Sequence, residues 1–173
     1  ELLREFAAFY RRTLETGDQL VELGRELEYV EMYLKFEQAR FGERIQVSYR
    51  IEPDTLLLHV PAFIVQPIVE NSVKHGMRHE GVLHVTLEAS CREGWLTIHV
   101  IDDGVGIPAS SLPRVFESGF GKGLGIALKN VDDRLRGHFG VGSGLTVEST
   151  EGVGTRVIVR IRLEDGESCG RGE

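Results

Sequence analysis

Two polar residues stand where apolar ones belong, and each has the chemistry to bind something. Across 61–75, Ile64, Ile68, Asn71 and His75 recur at i, i+4, i+7 and i+11, so they share one helix face. An amide on that stripe needs partners, either backbone groups in a core or a ligand. Its neutral oxygen suits Mg²⁺ beside phosphates. Glu70 and Lys74 stand four apart on the flank. They make either a surface ion pair, or a carboxylate near a metal or its water plus a cation on a phosphate. Across 95–102, Leu96, Ile98, Val100 and Asp102 share a face by the strand period of two. A carboxylate ending a buried row must be hydrogen-bonded or sit in a pocket. The exocyclic amine of adenine is a suitable donor for it, and an ordinary Asp-Gly turn is the plainer reading. Gly104 and Gly106 would then let backbone approach a flat ligand.

A third group is the glycine series Gly119, Gly121, Gly123 and Gly125 around Lys122, leading into a helix from Leu124. It reads as a linker, or as a flexible loop whose lysine and following helix N-terminus meet phosphate oxygens. It matches neither of the common phosphate-loop spacings, since Gly rather than Ser or Thr follows Lys122. In a fourth group, Gly152, Gly154 and Thr155 open a strand. The Thr155 hydroxyl ends a buried row there, bonded to backbone or assisting Asp102 at a base. The six histidines have no zinc spacing, and His84 and His99 should point outward to solvent. No G-x-S-x-G or HExxH element is present.

The elements that must position these residues follow from periodicity. Residues 1–15 read as a helix with Leu2, Phe6, Phe9 or Tyr10, and Leu14 on one side. A longer helix spans 23–41, with Leu23, Leu27, Val30, Leu34 and Phe41 as its stripe and Glu and Arg opposite. Gly42 ends it. Ile45, Val47, Tyr49 and Ile51 alternate as a strand. A helix is expected over 61–75 with Pro61 in its first turn. Strands follow at 82–91 and 95–102, joined at Glu93-Gly94, then a helix at 124–139 and strands at 144–149 and 154–163. The fold class is α+β: a two-layer α/β sandwich, a mixed sheet with helices on one face, preceded by two helices. Domain divisions fall at 1–42 (helical), 43–163 (the sandwich) and 164–173 (a polar tail expected to be disordered).

Composition narrows the classes. At 173 residues and 41% hydrophobic content the chain can bury one real core. A formal charge of −7 gives no nucleic-acid footprint. No apolar run is long enough for a membrane span, so no membrane contact is expected. Cys91 and Cys169 are far apart, so a bridge is not expected and a reducing cytoplasm fits. The chain opens at Glu1 as if in mid-helix, which reads as a piece of something longer.

At these residues the sequence resembles the GHKL ATPase superfamily of gyrase, heat-shock chaperone, histidine kinase and MutL. More narrowly it resembles sensor histidine kinases of the LytS type. The agreement extends over Leu27-Glu28-Tyr29-Val30, Phe36-Glu37-Gln38-Ala39-Arg40-Phe41-Gly42, Val65-Gln66-Pro67-Ile68-Val69-Glu70-Asn71 and Gly125-Ile126-Ala127-Leu128-Lys129-Asn130-Val131. The resemblance implies an ATP- and Mg²⁺-binding catalytic domain with the histidine-kinase ATPase fold. Asn71 would hold Mg²⁺, and Glu70 would be the base or the partner of a metal-bound water. Lys74 and His75 would meet phosphates or ribose. Asp102 would take the adenine amine, with Gly104 and Gly106 shaping that wall. Residues 107–123 would be the ATP lid. Lys122, Gly123, Leu124 and Gly125 would admit the phosphates, and Thr155 would close the base pocket. Helix 1–15 would end a dimerisation hairpin, with 23–41 as a connecting helix.

The same resemblance implies a homodimeric, membrane-bound parent kinase whose cytoplasmic part includes this fragment. A phosphohistidine would pass its group to a response regulator. One departure matters. No histidine precedes His59, so the phosphoacceptor is absent from these helices and the chain alone should not phosphorylate itself. Two other readings stay open: a serine kinase of the anti-sigma-factor type, and a non-enzymatic, nucleotide-gated interaction module.

Overall fold

A computed structural model describes residues 19–117 and 124–163, without the Leu124 side chain. Helix 1–15, most of the glycine loop and the 164–173 tail lie outside the described residues. Helix α1 (Leu23–Phe41) has the bounds its stripe predicts, and Gly42 closes it at φ 62°. The short strand β1 (Leu20–Glu22) precedes it and pairs antiparallel with β3 (His59–Pro61). Between them runs β2 (Ile45–Ile51). Helix α2 (Val65–Gly76) follows β3, then β4 (Leu83–Arg92) and β5 (Trp95–Asp102). Helix α3 (Leu124–Phe139), β6 (Gly144–Thr150) and β7 (Gly154–Arg162) complete the order.

The main sheet has the order β2-β4-β5-β7-β6. Only β2 and β4 run parallel, joined by the crossover through β3 and α2, so the sheet is mixed. β4 and β5 form a two-residue hairpin in which Glu93 (φ 52°) and Gly94 (φ 77°) take the left-handed pair that matches strand twist. Alternation buries Leu83, Val85, Leu87 and Ala89 of β4 and Leu96, Ile98 and Val100 of β5 on the face that meets the helices. Leu23, Val30 and Leu34 of α1 join Leu128 and Leu135 of α3 in that same core. The opposite face is polar. At its edge Trp95 lies beneath two guanidinium groups, Arg160 at 4.4 Å and Arg162 at 5.3 Å from the ring centroid.

Three expectations are corrected. The third helix begins at Val65, not Pro61, because 59–61 are taken up by pairing with β1. Glu26 does not lie opposite the stripe of α1. It is 0% exposed, and burial pushes its carboxyl above the usual range against the pull of backbone N–H groups from Phe63, Val65 and Gln66. Cys91 is disulfide-bonded. A bridge depends on Cα atoms within about 7 Å in space, which separation along the chain does not reveal. His84 points outward as expected. His99 does so only partly, with a buried Nδ1 on the outer sheet face.

Candidate functional site

A pocket opens between α2, α3 and the end of the sheet where β5 finishes. The space in it that water-sized spheres can reach is about 40 Å³, so the cleft is narrow as it stands. Ile68, Leu128, Val147 and Val157 give it apolar walls, and Asn71, Ser72, His75, Asp102 and Thr155 supply the polar groups.

Asp102 is where strand alternation put it, last on the buried face of β5 and 6% exposed. Its Oδ1 accepts from the Gly104 amide at 3.0 Å. Burial raises its carboxyl above the usual range, against bonds from Gly104, Ser72 and Thr155. The neighbouring Asp103 points the other way. Burial alone would raise it, but the His84 amide at 2.8 Å and ring Nδ1 at 2.7 Å hold its carboxyl below the usual range.

Asn71 projects from the middle of α2. Its Nδ2 is buried and has no hydrogen-bond partner. The residue lines the pocket, and a half-turn of the amide exchanges its oxygen and nitrogen. His75 lies one turn further along. Glu70 and Lys74 are on the flank, outside the lining. Glu70 accepts from Gln66 Nε2 at 2.9 Å and pairs with Lys74 Nζ at 3.3 Å. Lys74 is 62% exposed, so that pair is a solvated one.

The glycines divide by task. Gly106 lines the pocket at φ 69°, and a Cβ there would stand 2.1 Å from the Thr150 carbonyl. Gly104 is set against Gly76 of α2, whose backbone a Cβ would meet at 2.4 Å. Its bareness lets β5 and α2 meet behind the pocket. Gly154 (φ 145°) plays the same part between β7 and the Asp102 carbonyl, at 2.0 Å. Gly125 is buried in the first turn of α3. Lys122 and Gly123 lie outside the described residues, as does the Leu124 side chain.

Thr155 faces Asp102 directly across β5 and β7. Its hydroxyl bonds Ser149 Oγ at 2.8 Å, and that oxygen also accepts from Ile107 N at 2.8 Å and donates to the Gly154 carbonyl at 2.8 Å. Sequence reasoning missed Ser149 and Ser72. Ser149 follows Val147 by two on the inner face of β6, a polar residue in an apolar row just as Asp102 is. Arg78 was missed too. Its Nη2 donates to the carbonyls of Asp103, Gly104 and Gly152 at 3.3, 3.2 and 2.7 Å, clamping the two loops that border the pocket.

Among the described residues no three His, Cys, Asp or Glu side chains stand together as a metal cage. The side-chain oxygen of Asn71, a neutral ligand in the lining, fits a cation held chiefly by phosphate oxygens and water, as Mg²⁺ is.

A mixed sheet, helices on one face and a pocket at the sheet end define an α+β domain with its candidate site at the strand ends. The catalytic domain of histidine kinase ThkA matches this fold with a TM-score of 0.63 at 18% identity, covering 84% of this chain and 95% of that one. Residues 61–165 match the family model described as "Histidine kinase-, DNA gyrase B-, and HSP90-like ATPase", and residues 1–45 match one described as "Histidine kinase". The chain belongs to that ATPase family. It is 35% identical to Sensor protein LytS of Staphylococcus haemolyticus over 93% of its own length. It is 33% identical to Sensor histidine kinase BtsS of Escherichia coli K12 over 95% of its length. The chain spans 28% of the length of each of these curated relatives.

Proposed function

We propose that this chain binds ATP with Mg²⁺ and directs the γ-phosphoryl group to a histidine on a dimerisation helix, from which a response regulator then takes it. The observation that carries the reading is the buried Asp102 carboxylate in an apolar-walled pocket that Asn71 and His75 also line. The apolar walls suit a purine, and Asp102 accepts its exocyclic amine, with Thr155 and Ser149 completing the polar edge. His75 is assigned to ribose or phosphates, and so is Lys74, which would have to swing from Glu70 to reach them. Asn71 would hold Mg²⁺, which neutralises phosphate charge when bound. Lys122, Gly123, Leu124 and Gly125 are assigned to the phosphates from the resemblance alone.

In the transfer, the imidazole nitrogen forms the new P–N bond as the bond to the β-phosphate oxygen breaks. ADP leaves, and the imidazole N–H proton passes to a carboxylate. Glu70 is assigned that role, which requires it to give up its bonds to Gln66 and Lys74. Phosphoryl transfer asks mainly for positioning, assigned here to Asp102 and Asn71, and for charge neutralisation, assigned to Mg²⁺ and the lysines.

Calorimetry with a non-hydrolysable ATP analogue and Mg²⁺ tests the reading. Asp102→Asn should weaken binding at least about tenfold, the loss of one charge-assisted bond. Unchanged affinity removes Asp102 from the base site, and no heat from the wild type at millimolar ligand marks the chain as an inert interaction module. Label transfer to a histidine-bearing helix, against a serine-bearing partner protein, separates the two kinase classes.

A further inference from the structure

The helix that carries Asn71 and His75 has no cap of its own. Its N-cap is Ile64, whose side chain accepts no hydrogen bond, so the N–H groups of the first turn need an acceptor from elsewhere. Glu26 of α1 supplies one. Its Oε2 accepts from Phe63 N at 2.7 Å, and its Oε1 from Val65 N at 2.9 Å and Gln66 N at 3.3 Å. The carboxylate is fully buried, and the helix dipole favours its charge there.

A second contact from α1 reaches the same spot. Phe63 sits at φ 60°, a left-handed conformation that a bulky residue adopts only under constraint. Its ring stacks on Tyr29 of α1 at 4.9 Å and 18°. One turn of α1 therefore grips both the amide and the ring of the residue that leads into α2. Gln66, held at its amide by Glu26, donates from its side chain to Glu70. Glu26 lies in the part of the chain that matches the histidine kinase model, and its three donors lie in the part that matches the ATPase model.

We propose that Glu26 is a positioning residue for the nucleotide pocket: acting from α1, it fixes the start of α2 and thereby the stance of Asn71 and His75. An ordinary Ser or Asp cap would have anchored α2 to its own loop. A cap borrowed from α1 makes the pocket helix answer to α1 instead. The idea rests on the ATP reading only for what Asn71 and His75 do once placed.

The experiment compares wild type, Glu26→Gln and Glu26→Asp by amide hydrogen exchange on the nucleotide-free chain, then by titration with ATP·Mg²⁺ and with adenosine. In Glu26→Gln the amides of 68–76 should exchange on the order of tenfold faster, the loss of about one hydrogen bond to a charged group. The amides of β5 and β7 should keep their rates. ATP·Mg²⁺ should weaken by a similar factor and adenosine by less, because Asp102 and its strand neighbours hold the base and adenosine brings no phosphate to Asn71. Glu26→Asp keeps the charge with a shorter reach and should recover part of the loss. It also carries the comparison if Glu26→Gln does not fold.

Wild-type exchange across α2 in a folded variant overturns the proposal. So does acceleration spread evenly over sheet and helices, or equal loss of both ligands, either of which makes Glu26 a stability residue only. If the wild type binds neither ligand, the ATP reading falls, and the exchange comparison still decides the part played by Glu26.

Discussion

A single carboxylate sets two opposed demands. On the proposed reading Asp102 meets a base from a buried position, and burial disfavours its charge. Its folded-state pKa lies above the ordinary value of about 3.9, so protonation favours the native state. The stability this group contributes is fully present below the ordinary value and is lost as pH rises through the raised one. Relative to Asp102→Asn, the wild type should therefore gain thermal stability as pH falls through that window. Over the same window its affinity for an ATP analogue should fall faster than the variant's, because a neutral carboxyl is a weaker acceptor. Paired melting and titration series from pH 7 to 4 check both, and parallel curves for the two proteins would reject the assignment. A steric prediction sits at Gly104. Its Cβ position is 2.4 Å from the Gly76 backbone, so Gly104→Ala should destabilise by about 1–3 kcal/mol, read by chemical denaturation.

Elements differ in how openly the sequence declared them. Leu23–Phe41 was legible to the residue because a stripe of apolar positions ends at a glycine that can take φ 62°. Strands β4, β5 and β7 were legible from alternation, and Asn71 and Asp102 stood out as breaks in those same patterns. Glu26 was such a break as well. It follows Leu23 by three and precedes Val30 by four, which places it inside the stripe, yet a glutamate on a helix reads as solvated unless that spacing is checked. β1 and β3 were hidden because three residues are too few to show a period. Their pairing, like the parallel match of β2 to β4, joins distant segments through backbone groups that every sequence has. At this scale the β4–β5 turn makes a prediction. Glu93 holds a left-handed φ of 52°, which Asn tolerates better, so Glu93→Asn should stabilise by about 0.5 kcal/mol, visible as a raised melting midpoint.

At the scale of the molecule, the chain has on the proposed reading a pocket for a donor and, before His59, no histidine to receive. Incubated alone with radiolabelled ATP it should acquire no acid-labile label, and added to a helix that bears a histidine it should label that helix. Stable label on the chain itself would contradict this. The sheet also separates two ends of one strand. Trp95 opens β5 beneath its pair of arginines, Asp102 closes it, and the seven steps between them span about 23 Å at the usual strand rise. The chain has a single tryptophan, so its intrinsic fluorescence is a natural gauge of whether the sheet is intact and is blind to what fills the pocket. Denaturation can then be followed by emission at each ligand concentration, and a rising midpoint reports binding at the far end of the strand.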